Sequence, residues 1–226
     1  MTMREEPLDL LVGETAGRVS GLLVRPDGAR ALYVLAHGAG AGMRHPFLAA
    51  VARTLADRGL ATLRYQFPYM EKRERRPDPP GVAEATVRAA VQAAAELAPG
   101  LPLLAGGKSF GGRMTSSAAA KQPLAAVRGL VFLGFPLHPP KRPDDKRAEH
   151  LGAVTVPMLF LQGTRDDLAD LTLLGPVCAR LGNRATLHVV DGADHSFKVL
   201  KRSGRTDAEA LDEVARATDE WVTTIL

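Results

Sequence analysis

The chain has 226 residues, 46% hydrophobic and 24% charged, the balance of one soluble globular domain (residues 1–226) with a core large enough to need no staples. A net charge of +4 with 5% aromatics and no groove-reading motif speaks against a nucleic-acid partner; the dense run Lys72-Arg73-Glu74-Arg75-Arg76 is expected to be a solvated loop. The single Cys178 excludes an internal disulfide, no apolar run nears the ~20 residues of a membrane span, and Met1 to Leu10 lacks a signal pattern, so the expected setting is the cytoplasm.

Leu8 to Val12 and Arg18 to Val24 are expected to pair as a hairpin, and Pro26-Asp27-Gly28 turns the chain after it. Ala31 to Ala36 is continuously apolar, as a strand buried on both faces must be, and it ends in His37-Gly38-Ala39-Gly40-Ala41-Gly42. Pro46 to Arg58 has helical spacing closed by Gly59, and Leu60 to Tyr65 is the next strand. The polar, proline-rich stretch Gln66 to Pro80 is expected to be a loop, long enough to be functional or mobile.

An alanine-rich helix follows over Val82 to Leu97, stopped by Pro99-Gly100. The strand Pro102 to Ala105 leads into Gly106-Gly107-Lys108-Ser109-Phe110-Gly111-Gly112, and the helix after it runs to Lys121. Further strands are expected at Val127 to Leu133, Val156 to Leu161 and Ala185 to Val190. Between them lie a charged loop and short helical segment from Lys141 to Leu151 and a helix reaching Leu181; an amphipathic helix, Asp207 to Ile225, closes the chain. Strands alternating with helices predict an α/β fold: a mostly parallel twisted sheet with helices on both faces and an antiparallel N-terminal hairpin. In such sheets ligands bind beyond the carboxyl ends of the strands, and the unusual loops after Ala36, Ala105, Leu133, Leu161 and Val190 all fall at that edge.

Gly107-Lys108-Ser109-Phe110-Gly111 fits G-x-S-x-G, in which a serine is lifted clear of the sheet on a sharp strand-to-helix turn. The competing reading is a glycine-rich turn whose serine merely caps the helix. A serine nucleophile needs a base, and the base needs a partner to set its tautomer. Of the histidines after Ser109, His188 lies inside a strand, His150 in a charged helical stretch, and His138 among prolines. His195 stands in the loop after the last strand and is the candidate base. Asp166 is the candidate acid, with Asp167 its neighbour in competition and Asp170 suited to capping the next helix. Asp191 and Asp194 are expected to face solvent or turn amides.

An oxyanion would take the N–H of Phe110 and a second donor from the early glycine turn, Ala39 first and Gly40 second. His37 itself is expected to be buried and structural, beside a pocket whose candidate lining is His37, Lys108, Tyr69, Met70, Phe135 and His138. The loops Gln66 to Pro80 and Pro136 to Leu151 are the only candidate covers, with Lys72, Arg73, Lys141, Arg142, Lys146 and Arg147 as a basic rim suited to an anionic end of a substrate.

These motifs, with Phe67-Pro68-Tyr69-Met70-Glu71, Phe135-Pro136-Leu137-His138-Pro139-Pro140, Gln162-Gly163-Thr164-Arg165-Asp166 and Asp194-His195-Ser196-Phe197, resemble a small α/β-hydrolase of the dienelactone-hydrolase-related kind. More narrowly, the chain is similar to the short bacterial family that matches the testis-expressed and chromatin-complex hydrolase-like proteins of animals. The resemblance implies Ser109 as nucleophile, Asp166 as acid and His195 as base, with no metal or organic cofactor. The spacing of the strands leaves no room for a large cap domain, and a small-molecule substrate and a monomer or homodimer are expected. Dienelactone hydrolases use a cysteine nucleophile where this chain has Ser109, so their lactone chemistry is not carried over. The expected activity is hydrolysis of an ester, thioester or related carbonyl compound. The alternatives are acyl transfer or peptide cleavage on the same residues, or a non-catalytic interaction protein.

Overall fold

The computed structural model describes residues 5–13 and 16–226; part of the Met1 to Leu10 reading lies outside them. Eight strands form one sheet in the order β1-β2-β4-β3-β5-β6-β7-β8. Strands β1 (Glu5–Gly13) and β2 (Gly17–Val24) are the antiparallel hairpin, and β2 also runs antiparallel to β4 (Leu60–Tyr65). From β4 onward every pairing is parallel, through β3 (Ala31–Ala36), β5 (Leu103–Lys108), β6 (Val127–Leu133), β7 (Met158–Gly163) and β8 (Ala185–Val190).

The alternation of side chains along each inner strand divides the core in two. Leu32, Val34, Leu130, Phe132, Met158 and Phe160 point to the face covered by α3 (Pro80–Leu97), α4 (Phe110–Lys121) and α5 (Leu171–Leu181). Tyr33, Leu35, Val131, Leu133, Leu159 and Leu161 point to the other face, under α1 (Pro46–Ala56) and α6 (Asp207–Ile225). Both faces are covered, which is why β3 is apolar without interruption. Burial of a Leu, Val or Phe side chain stabilises the fold by about 1.5–3 kcal/mol, so the two layers together drive folding.

The chain departs from expectation at two places. The Gln66 to Pro80 stretch contains a short helix, α2 (Pro68–Glu71), because Phe67 and Tyr69 are fully buried and anchor it despite the polar residues around them. The Lys141 to Leu151 region holds its expected short helical segment as the 3-10 helix Lys146–Ala153, whose Ala148 and Leu151 pack into the core beside α4. Strand β5 extends to Lys108 and α4 begins at Phe110, leaving Ser109 alone at the corner.

Candidate active site

Ser109 lies at φ 49 and ψ −114, a region L-residues rarely adopt and one that stores about 1–3 kcal/mol of strain. Its surroundings over-determine it. A Cβ on Gly107 would sit 2.2 Å from the Ala36 carbonyl oxygen, and one on Gly111 would sit 2.6 Å from the His37 carbonyl oxygen. Only glycine lets β5, the corner and α4 close onto β3 in this way. The Ser109 N–H is held by the Leu133 carbonyl at 3.2 Å, while among the described residues no hydrogen bond takes the Phe110 N–H at the start of α4. That free amide sits at the positive end of a three-turn helix.

Two loops further along the sheet edge meet at a histidine–carboxylate pair. His195 Nδ1 and Asp166 Oδ2 are 2.7 Å apart, with the Asp166 carboxyl fully buried and the imidazole about one-fifth exposed. Asp166 also accepts from the Leu168 N–H at 2.8 Å and from the Gln162 side-chain amide. Gln162 is oriented by accepting the Phe135 N–H at 3.0 Å through its own oxygen, which turns its N–H2 toward Asp166. Three donors thus converge on the buried carboxylate, and with Nδ1 turned to it, Nε2 is the imidazole nitrogen left over. The loop bearing His195 is strapped to the end of β7: Arg165 N–H donates to Ala193 at 2.9 Å, and a Cβ on Gly163 would meet that carbonyl at 2.2 Å.

The competing acids and histidines occupy other places. Asp170 caps α5 through Thr172 N–H at 2.8 Å, Asp167 is exposed, and Asp194 accepts from Ser196 and Lys198 amides at 2.8 and 3.0 Å. His188 meets Glu213 of α6 at 2.9 Å, and His150 meets Ser116 at 2.7 Å.

The glycine turn after β3 runs against the serine corner, where a Cβ on Gly38 would lie 3.9 Å from the Ser109 Cβ. His37 is fully buried: Nδ1 donates to the Gly38 carbonyl at 2.7 Å and Nε2 accepts the Phe67 N–H at 3.1 Å. Desolvation pulls its pKa down to about 4, so it stays neutral and serves as a brace between β3 and the segment entering α2. Tyr69, fully buried on α2, accepts the Gly40 N–H through its hydroxyl at 2.8 Å. Gly40 is therefore spoken for, and the Ala39 N–H, which no hydrogen bond takes among the described residues, is the donor left beside Ser109.

A cavity of about 840 Å³ opens at this edge on the α1 and α6 side of the sheet. Ser109, His195, Gly38, Ala39 and Lys108 form its floor; Phe47, Leu48, Leu168, Phe197, Ala208 and Leu211 form apolar walls, with His45, Lys198 and Asp207 as polar members. The rings of Phe47 and Phe197 lie parallel, 5.8 Å apart. Of the six candidate lining residues only Lys108 reaches the cavity. His37 and Tyr69 are inside the turn that supports it, and Met70 lies against Gly42. Phe135 is in the core against Phe132 and Phe160, and buried His138 accepts the Asp170 N–H at 2.8 Å. The basic residues expected at the rim do not line it either. The reason is topological: the two long loops settle toward α3 and α4, while the cavity opens over the opposite layer. The start of α1 at Pro46, four residues past Gly42, is the sequence signal for His45 to Leu48 in the wall.

Among the described residues no cluster of three or more His, Cys, Asp or Glu is placed to hold a metal ion, and no helix is long and apolar enough to cross a membrane.

Residues 29–223 match a family model described as an alpha/beta hydrolase domain. Dienelactone hydrolase from Anabaena variabilis superposes with a TM-score of 0.78 at 25% identity, each chain covered over 100% of its length. A serine hydrolase without lid from Xanthomonas campestris superposes at 0.71 with 19% identity, covering 96% of both chains, and so shares the fold. In sequence, a Mycobacterium tuberculosis protein named phosphoribosyl transferase is 28% identical over 97% of this chain. The chain spans 46% of that relative's length.

Proposed function

The chain belongs to the alpha/beta hydrolase domain family, and on that premise we propose that it is a serine hydrolase acting through an acyl-enzyme on esters or thioesters with an apolar acyl or alcohol part. The observation that carries the reading is that His195, paired with Asp166 at 2.7 Å, lines the same cavity as the strained Ser109.

In this reading His195 Nε2 takes the Ser109 proton as Oγ attacks the substrate carbonyl. The N–H groups of Phe110 and Ala39 hold the developing oxyanion, an arrangement in which one donor is worth roughly 10²–10³ in kcat. His195 then gives its proton to the leaving group, and water enters to release the acyl group by the reverse proton route. Asp166 keeps the imidazole in its tautomer and stabilises the imidazolium. The apolar walls favour a substrate carried by burial of hydrocarbon rather than by charge pairing.

Labelling with a fluorophosphonate and hydrolysis of p-nitrophenyl esters test the proposal. Wild-type protein should label at Ser109 and turn over the esters, and Ser109→Ala should do neither. Folded wild-type protein that resists the probe would refute it, whereas labelling at Ser116 or Ser117 would move only the nucleophile.

A further inference from the structure

Lys108, the residue before Ser109, is half-buried at the floor of the cavity and is used by none of the steps above. Its ammonium does not reach for solvent. It donates to the main-chain carbonyl of His195, lies 5.8 Å from the centre of the Phe197 ring, and sits in the field of Asp166 and Asp194. The path of the side chain is cleared by Gly134 at the end of β6. A Cβ there would fall 2.9 Å from Lys108 Nζ, 3.3 Å from His195 Nδ1 and 3.4 Å from Asp166 Oδ2. The lysine, the imidazole and the carboxylate therefore converge on one point beneath the histidine.

We infer that Lys108 is a positioning residue of the active site, a strut from the strand that carries Ser109 to the backbone of His195 that sets the base against the nucleophile. The inference rests on the serine-hydrolase reading. Asp166 holds the imidazole ring by its Nδ1 but leaves the backbone of residue 195 free to shift along the sheet edge. The loop is tied at Ala193 and by Asp194 N–H to the Lys198 carbonyl, on either side of the histidine. Lys108 supplies the tie at the histidine itself, and it does so from the neighbour of the nucleophile, so the two reacting groups move together. Holding the ammonium here costs desolvation, which draws its pKa down to about 7, with Asp166 and Asp194 opposing the shift. A cation used only for solubility would not be kept in such a place.

The test compares Lys108→Met, which keeps length and loses the donor, with Lys108→Arg, which keeps donors, with Lys108→Gln held in reserve should the Met variant fail to fold. The readouts are the second-order rate of fluorophosphonate labelling and the kcat and KM for a neutral p-nitrophenyl ester. Lys108→Met should lower kcat and the labelling rate about tenfold or more, with KM within about twofold of wild type, since a displaced base slows the chemistry and leaves binding intact. Lys108→Arg should recover part of the loss. Labelling of Lys108→Met at the wild-type rate overturns the inference, and so does a loss confined to KM, which would make Lys108 a substrate contact. Failure of the wild type to label overturns the underlying reading instead.

Discussion

Replacing Gly134 by Ala separates the strain of a backbone position from the crowding of the site, because Gly28 provides a matched control. Both glycines have φ +69. A Cβ on Gly28 meets nothing within 4 Å, whereas one on Gly134 arrives 2.9 Å from Lys108 Nζ, 3.3 Å from His195 Nδ1 and 3.4 Å from Asp166 Oδ2. Left-handed backbone costs a non-glycine residue about 1–2 kcal/mol. The stiffer unfolded chain gives back about 0.4–1 kcal/mol. Gly28→Ala should therefore lower the melting temperature by no more than about 6 °C, at about 2–4 °C per kcal/mol for a domain of this size, and keep full reactivity. Gly134→Ala carries the same backbone cost, and the ammonium and imidazole must also give way by a few tenths of an ångström. With about a hundredfold at stake for a 1 Å misplacement, labelling by a fluorophosphonate should slow roughly tenfold. Thermal unfolding and labelling rates measured on the same preparations decide it. Equal labelling of the two variants would show that the space under the Asp166–His195 pair is immaterial.

Asp166→Asn should lower kcat by about 10³–10⁴, because three donors converge on this carboxylate and an amide must turn its own N–H2 toward one of them. Facing His195 Nδ1, it would flip the tautomer; esterase assays at saturating substrate measure the loss. The lowered folded-state pKa of Lys108, about 7 against the usual 10.5, makes a signed prediction for stability. Between these values the unfolded chain binds the proton that the folded one has released, so wild-type protein gains stability as pH rises from about 7 to 10.5. Lys108→Met should lack that increment, and urea titrations across the range show whether the two curves diverge. Phe47→Ala removes one of the two parallel rings of the cavity wall and should flatten the preference for longer over shorter acyl p-nitrophenyl esters, read as kcat/KM along the series.

What the sequence makes legible here is what local chemistry writes. The glycines around Ser109 are there because a Cβ at position 107 or 111 would strike the β3 backbone, and that demand is visible as a motif. Strand β3 shows as an unbroken apolar run because helices cover both its faces. Asp166 stands out from Asp170 because one follows a strand end directly and the other is placed to cap a helix. The cavity wall is different in kind. Phe47, Phe197 and Leu211 are brought together by the meeting of α1, the His195 loop and α6, over 160 residues apart at the extremes, and no local pattern records that meeting. The short helix α2 was hidden for a related reason: Tyr69 is held by the Gly40 amide and the core, in spite of the charges beside it. Gln162 lies inside the Gln162-Gly163-Thr164-Arg165-Asp166 motif, but its part depends on Phe135, a residue of the adjacent strand end.

The two halves of the chemistry sit at different depths in the sheet. Ser109 follows β5, which is paired on both sides by β3 and β6, whereas His195 follows β8, an outer strand paired only with β7 and partly exposed along its length. Strands bonded on one side open at lower free energy than central ones. On gentle heating His195 would swing away while the serine corner is still intact, so under the proposed serine-hydrolase reading loss of activity should run ahead of loss of secondary structure. The protein would then fail reversibly at its margin before it fails at its centre.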